Sequence, residues 1–379
     1  MAAASRRSVY FRPIVGLGVD TRYLDAHAKG SAAQLCGRPD LVFTHVEIIQ
    51  RHSAHGDGAG RELVRASMAG RELHVEDFAT PGEHDADAAA IKATKAALVS
   101  PRPPFAGLDM NHAAIMGIVN VTPDSFSDGG RHDTTQAAID HGLKLADEGA
   151  DILDIGGEST RPGSDAVPVE EELRRVIAVI EGLRGRTDKK ISVDTRKAEV
   201  MREAAQAGAD ILNDVSALTH DPKALEAAAE SGLPVMLMHA QGDPKTMNDN
   251  PRYDNVVLDV FDFLEARIRA CEAVGITRDK IVVDPGIGFG KHLHHNVAVL
   301  SAMSLYHGLG VPVLLGASRK KLIGQICNVE DAKARVPGSL AAALSSIAQG
   351  VQIVRVHDVA ATRQAIAVWQ AALAGTEEG

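Results

Sequence analysis

From Ile115 to the C-terminus the chain repeats one unit: a short apolar run that stops at a polar residue or a glycine, then a helix-length segment rich in Ala, Leu and Glu. The runs are Ile115–Asn120, Ile152–Gly156, Ile191–Asp194, Ile211–Asp214, Val235–His239, Ile281–Asp284, Val313–Gly316 and Val351–His357. Strands that read as continuous apolar runs are buried on both faces, as in a parallel sheet with helical crossovers. Eight such strands close a (β/α)8 barrel, and the stretch 109–379 has the size such barrels take. An open doubly wound sheet carries a glycine fingerprint after its first strand. Here that position holds Asn120-Val121-Thr122-Pro123-Asp124, with no glycine. The pattern predicts an α/β chain whose residues 109–379 form a TIM barrel.

Residues 1–108 differ in character and read as a small α+β extension of unassigned role. Strand-like runs occur at Leu41–Ile49 and Leu73–Val75, a Gly/Asp/His-rich loop at Ser53–Gly60 and an Ala-rich helical segment at Ala86–Leu98. Pro101, Pro103 and Pro104 read as a stiff linker. No chemical motif falls in this region, so the barrel is expected to bind its ligand without it. The Ser5-Arg6-Arg7 start is followed by an apolar run cut by Arg12 and Pro13, too short for an export segment.

Composition removes whole classes of function. A net charge of −10 offers no basic field for nucleic acid or anionic lipid, and 3% aromatic residues leave no stacking platform for single strands. Three scattered cysteines, with no CxxC pair, indicate neither a disulfide framework nor a structural zinc site. A cytoplasmic protein without nucleic-acid or membrane partners is expected.

In a (β/α)8 barrel the active site lies at the C-terminal ends of the strands. Those ends carry Asn120, the Gly156–Arg161 turn, Asp194, Asn213-Asp214, His239, Asp284, Ser318-Arg319-Lys320, Arg355 and His357. A single Asp there is most simply a helix cap. A whole rim of polar residues needs partners when buried, and a ligand supplies them. Asp194, Asn213 and Asp284 suit the hydrogen-bonding edge of a planar heterocycle, while Arg161, Lys320, Arg355 and His357 suit an attached phosphate.

Other motifs give less. Gly286-Ile287-Gly288-Phe289-Gly290-Lys291 has Pro285 and His292 where a P-loop needs Gly and Ser/Thr, so it reads as a close-approach glycine loop. His292, His294 and His295 lack metal-ligand spacing and read as a solvated loop. Glu170-Glu171-Glu172 reads as an acidic first helical turn.

Ile118-Val119-Asn120-Val121-Thr122-Pro123-Asp124-Ser125-Phe126-Ser127-Asp128-Gly129-Gly130 and Asp154-Ile155-Gly156-Gly157-Glu158-Ser159-Thr160-Arg161-Pro162-Gly163 resemble the two signatures of the dihydropteroate synthase family. Asp194-Thr195, Asn213-Asp214, Met238-His239, Asp284-Pro285-Gly286, Ser318-Arg319-Lys320 and Arg355-Val356-His357 follow in family order. The resemblance implies condensation of a dihydropterin pyrophosphate with p-aminobenzoate, with Mg2+, by a homodimer. It implies a pterin site at Asp194, Asn213, Met238, Asp284 and Lys320, and a pyrophosphate grip at Arg355 and His357 with Thr160 and Arg161. It further implies an Mg2+ contact at Asn120 and p-aminobenzoate contacts, where sulfonamides also bind, at Pro162, Phe289 and Ser318. A methyltetrahydrofolate-type methyltransferase would keep the pterin set without the phosphate grip. A non-catalytic pterin-binding paralogue would lose the Ser-Arg-Lys residues.

Overall fold

The computed structural model describes residues 7, 9–17, 29–51, 60–69, 72–75, 85–121, 131–159, 164–242, 246–247 and 249–374. Five strands come first: β1 (Val9–Leu17), β2 (Ala33–Gln34), β3 (Leu41–Gln50), β4 (Gly60–Ala69) and β5 (Glu72–Val75). They pair antiparallel in the order β1-β3-β4-β5, with β2 on β3, and the helix Asp85–Val99 follows. β1 contains the apolar run cut by Pro13. A proline that cannot donate to a ladder is tolerated there because β1 is the sheet edge.

The second sheet has eight parallel strands: β6 (Ala114–Asn120), β7 (Ile152–Gly156), β8 (Lys190–Asp194), β9 (Ile211–Asp214), β10 (Val235–Met238), β11 (Ile281–Asp284), β12 (Leu314–Leu315) and β13 (Ile353–Val356). Their order, β11-β10-β9-β8-β7-β6-β13-β12, follows the sequence around a ring. The ring closes through a parallel bridge between Val283 and Val313. This is the barrel expected from the eight runs. Helices between the strands bury their apolar stripes against the outer wall; Val169–Arg184, for example, buries Val176, Val179, Ile180 and Leu183. No described helix is long and apolar enough to cross a membrane.

The extension is fastened to the barrel wall. Tyr10 and Ile49 belong to the same apolar cluster as the barrel's outer core. Around them, Tyr10 Oη donates to both carboxylate oxygens of Asp262 at 2.8 and 2.9 Å, and Arg51 reaches Asp259 at 2.8 Å and Asp262 at 3.0 Å. Arg7 pairs with Glu265, and Ser304 Oγ donates to the Pro13 carbonyl at 2.8 Å. The proline segment is likewise packed: Arg102 is buried and donates to the His307 carbonyl at 2.8 Å. Phe105, on the extension's side of the expected boundary, is fully buried in the barrel floor with Met110.

Candidate active site

Side chains along a strand alternate between the barrel lumen and its helix-facing wall. The floor of the lumen takes Ile152, Ile211, Met236, Val282, Leu314 and Ile353 into one cluster with Phe105. Their sequence neighbours Leu153, Leu212, Leu237, Val283, Leu315 and Val354 join the outer cluster instead. Two residues above each floor position the same parity gives Asp154, Asn213, Met238, Asp284, Gly316 and Arg355. On β8, where Val193 faces the wall, it gives Asp194. Candidates scattered over half the chain thus come to one level.

Arg355 is the centre of that level. Its Nε donates to Asp154 Oδ2 at 2.6 Å and its Nη2 to Asp194 Oδ2 at 2.8 Å. Asn213 Nδ2 lies 3.4 Å from both oxygens of Asp154, which is fully buried. Burial pushes Asp194 up to about 7, with Arg355 pulling the other way and Asp154 adding to the rise. The Arg355 guanidinium is held charged by the same carboxylates, although burial opposes it. The resemblance assigns Arg355 to the phosphate alone; the geometry ties it to the lumen carboxylates Asp154 and Asp194.

Asp284 and Lys320 face each other across Gly316. A Cβ at Gly316 would stand 3.6 Å from Asp284 Oδ2, 3.8 Å from Lys320 Nζ and 3.9 Å from Arg355 Cβ. Asp284 Oδ1 accepts the Gly286 N–H at 2.7 Å. Burial raises the Asp284 carboxyl, against the pull of Lys320 and of that N–H. Lys320 is drawn down to about 8 by burial, which Asp284 opposes. Its Nζ donates to the Ile287 carbonyl at 2.5 Å and sits 4.5 Å from the centroid of the Phe289 ring, a cation–π distance. Ser318 fastens His357 twice, Oγ lying 3.0 Å from the ring Nδ1 and accepting the backbone N–H at 3.1 Å. Asn120 Oδ1 would stand 3.9 Å from a Cβ at Gly156, beside Asp194. An amide oxygen at the rim is a hard donor of the kind Mg2+ takes alongside phosphate oxygens.

Some rim residues serve the fold instead. Asp214 accepts from Ser216 N and Oγ, both at 2.6 Å, and from Leu218 N at 3.0 Å, capping its own turn. Arg319, at φ +57°, turns to Asp358 and does not join the lumen carboxylates. His292 caps the helix Leu293–Ser301, and the described residues hold no group of three or more His, Cys, Asp or Glu able to bind a metal ion. Glu170, Glu171 and Glu172 do open a helix, but Glu172 is also buried and paired with Lys197. Thr160, Arg161 and Pro162 lie outside the described residues, as does the first signature beyond Val121.

Two participants were not foreseen. Asp154 stands inside a signature, yet an acid in the middle of an apolar strand, in phase with the lumen, is itself a signal. Lys291 does more than end a sequence that fails as a P-loop. It is buried, and its Nζ lies 2.8 Å from His239 Nδ1 and donates to the Gly286 carbonyl at 2.9 Å.

Residues 116–357 match the model of the pterin binding enzyme family. The dihydropteroate synthase of Escherichia coli K12 is 50% identical over 270 residues, which cover 71% of this chain and 95% of that protein. The Xanthomonas albilineans dihydropteroate synthase structure with 4-aminobenzoic acid superposes with a TM-score of 0.68 at 54% identity, covering 72% of this chain and 97% of that one. The same enzyme in complex with 7,8-dihydropteroate gives 0.65 at 51% identity, covering 71% and 97%.

Proposed function

Because the chain belongs to the pterin-binding enzymes and acts as a dihydropteroate synthase, we propose that its barrel mouth divides the reaction between a ring site and an anion site bridged by Arg355. The observation that carries this division is Arg355 itself, bound to Asp154 and Asp194 on one side and adjoining Gly316, Asp284 and Lys320 on the other. Asp194, Asn213 and Asp284 hold the hydrogen-bonding edge of the dihydropterin, with Met238 against its face and Lys320 beside it. His357, Arg355, Thr160 and Arg161 take the pyrophosphate. Phe289, Ser318 and Pro162 receive p-aminobenzoate.

In the reaction the C–O bond to pyrophosphate breaks, and the pterin methylene carries the positive charge. Carboxylates fixed in a low-dielectric lumen favour that charge more than water does, because they need no reorganisation. The cationic residues at the rim favour the departing anion. The arylamine nitrogen then forms the C–N bond and releases its proton, so no nucleophile from the protein is needed. Asn120 would hold Mg2+ together with phosphate oxygens, and that ion, when bound, supplies neutralising charge to the leaving group.

The experiment is calorimetric titration of a pterin alcohol and of its pyrophosphate ester into the parent, Asp284→Asn and His357→Ala, with pyrophosphate release measured in parallel. Asp284→Asn is expected to weaken both ligands by similar factors, and His357→Ala to weaken the ester alone. Equal losses in His357→Ala would remove the anion site as drawn. In the parent, pyrophosphate release is expected to require the ester, p-aminobenzoate and Mg2+ together. We read the enzyme as a homodimer, as the family resemblance implies; light scattering tests this.

A further inference from the structure

Lys291 lies beneath the glycine loop that joins β11 to the helix Leu293–Ser301, and almost none of its surface reaches solvent. No carboxylate among the described residues bonds to it. Its ammonium group instead gathers neutral acceptors: the Gly286 carbonyl at 2.9 Å, the Phe289 carbonyl at 3.2 Å and, from the end of the neighbouring strand β10, His239 Nδ1 at 2.8 Å and the His239 carbonyl at 3.5 Å. Three N–H donors face these four acceptors, the His239 carbonyl being the most distant. Burial, with Lys291 nearby, holds His239 far below its ordinary range, so the imidazole is neutral and its Nδ1 accepts. Burial draws the Lys291 ammonium group down to about 7, against the support of Asp284 nearby, so a charged group hydrogen-bonded there only to neutral acceptors is costly to keep. It is therefore expected where those groups have to be held in one arrangement.

The arrangement matters because of what the loop presents. Gly286 N–H holds Asp284 Oδ1, the Ile287 carbonyl holds Lys320 Nζ, and the Phe289 ring lies under that same Nζ. The two ends of the loop are pinned differently. At its base, Gly286 (φ +70°) is locked by close approach, since a Cβ there would stand 1.9 Å from the His239 carbonyl oxygen. At its apex, Phe289 N bonds to the Gly286 carbonyl at 3.3 Å, and Lys291 bonds to both the Gly286 and Phe289 carbonyls. Without the ammonium group the Gly286 and Phe289 carbonyls lose their common donor, while Gly288 N–H on Asn296 Oδ1 at 2.6 Å and Tyr253 Oη on the Gly290 carbonyl at 2.7 Å still hold the residues around Phe289.

We propose that Lys291 is a positioning residue for the p-aminobenzoate step, a buried clamp that fixes the apex of the Gly286–Gly290 loop and with it the Phe289 ring. The inference rests on the reading that Phe289 serves p-aminobenzoate. Lys291 touches neither substrate.

The test is steady-state kinetics of the full-length enzyme with both substrates varied, together with thermal unfolding. Lys291→Met keeps the hydrocarbon stem and removes all three donors; Lys291→Gln retains one donor group. Lys291→Met is expected to raise KM for p-aminobenzoate by tenfold or more. KM for the pterin pyrophosphate should stay within about threefold, and Lys291→Gln should fall between Lys291→Met and the parent. An unchanged p-aminobenzoate KM overturns the proposal. So does an equal rise in both KM values with a lowered unfolding midpoint, which describes general loosening. Where Lys291→Met is not recovered folded, Lys291→Gln decides by the same two ratios. Phe289→Ala, run alongside, separates the layers of the argument. If it leaves p-aminobenzoate KM unchanged, the reading of Phe289 fails whatever Lys291 does. If it raises that KM and neither Lys291 variant does, the clamp fails and the reading of Phe289 stands.

Discussion

The barrel lumen and the seam between extension and barrel wall both bury charge, and they treat it differently. At the seam the charges find partners within the chain: Asp262 accepts from Tyr10 and Arg51, Asp259 from Arg51, and Glu265 from Arg7. In the lumen Arg355 is shared between Asp154 and Asp194, and Asp284 takes one backbone N–H on Oδ1 while no described residue donates to its Oδ2. Acceptor capacity left over in a buried place is what a donor-rich ligand fills. Buried charge alone therefore does not mark a binding site in this molecule; the lumen differs in leaving carboxylate acceptor capacity open, whereas the seam leaves a donor, Arg51 Nε, without a hydrogen bond among the described residues.

The sharpest way to break the comparison is to cut through it. A chain begun at Leu108 removes the seam and also Phe105 from the barrel floor, so we expect loss of soluble folded protein. A start at Pro101 keeps the floor and exposes only the outer wall. Far-ultraviolet circular dichroism and gel filtration of both would decide; a monodisperse, pterin-binding chain from Leu108 would restore the modular reading that the sequence suggested.

Next in size is Arg355→Ala, which strands two buried carboxylates. Breaking a buried pair from one side costs about 3–5 kcal/mol. Both pterin alcohol and ester should therefore bind more weakly, and turnover should fall by about a thousandfold or more. Retained alcohol affinity would return Arg355 to a purely phosphate role. Asp284→Asn should cost about 2–4 kcal/mol in affinity for either ligand, since it puts a donor where the ring already donates.

At the seam, Arg51→Ala should cost about 1–3 kcal/mol of stability with kcat/KM unchanged, as read by chemical unfolding and initial rates. A change in kcat/KM would couple seam to lumen.

The smallest effect is one of pH. The Asp194 carboxyl sits near 7 in the folded chain against an ordinary 3.8, so the folded state binds this proton more tightly than the unfolded state. Its contribution favours folding below about 4 and is lost as pH rises towards 7. Asp194→Asn should then raise the unfolding midpoint by about 2 °C or more at pH 8, with little change at pH 4, while abolishing activity. A midpoint lowered at pH 8 would show that Asp194 supports the fold through Arg355 more than its buried charge opposes it.

The legibility of these regions also differs. The eight runs became eight strands because each run is a local pattern, and the expected ends at Asn120, Gly156, Asp194, Asp214 and Asp284 coincide with strand ends. In the extension, the runs at Leu41–Ile49 and Leu73–Val75 and the helix at Ala86–Leu98 lie within β3, β5 and Asp85–Val99. β1 was obscured by Arg12 and Pro13, which an edge strand tolerates. The linker reading of Pro101–Pro104 missed the burial of Arg102, because prolines signal stiffness whether or not a wall lies beside them.

The sequence by itself determined the barrel, the parity that points Asp154, Asp194, Asn213, Asp284 and Arg355 inward, and the family. Each follows from residue spacing within a strand or from contiguous motifs. Only the tertiary structure decided which charges meet. Arg355 joins carboxylates 201 and 161 positions away, Arg51 reaches Asp259 across 208, and Lys291 turns inward to His239 across 52. Such pairings depend on closure of the ring and on burial that no local window contains. A charged side chain carries the same sequence signature whether it ends in water, in a partner or beneath a loop.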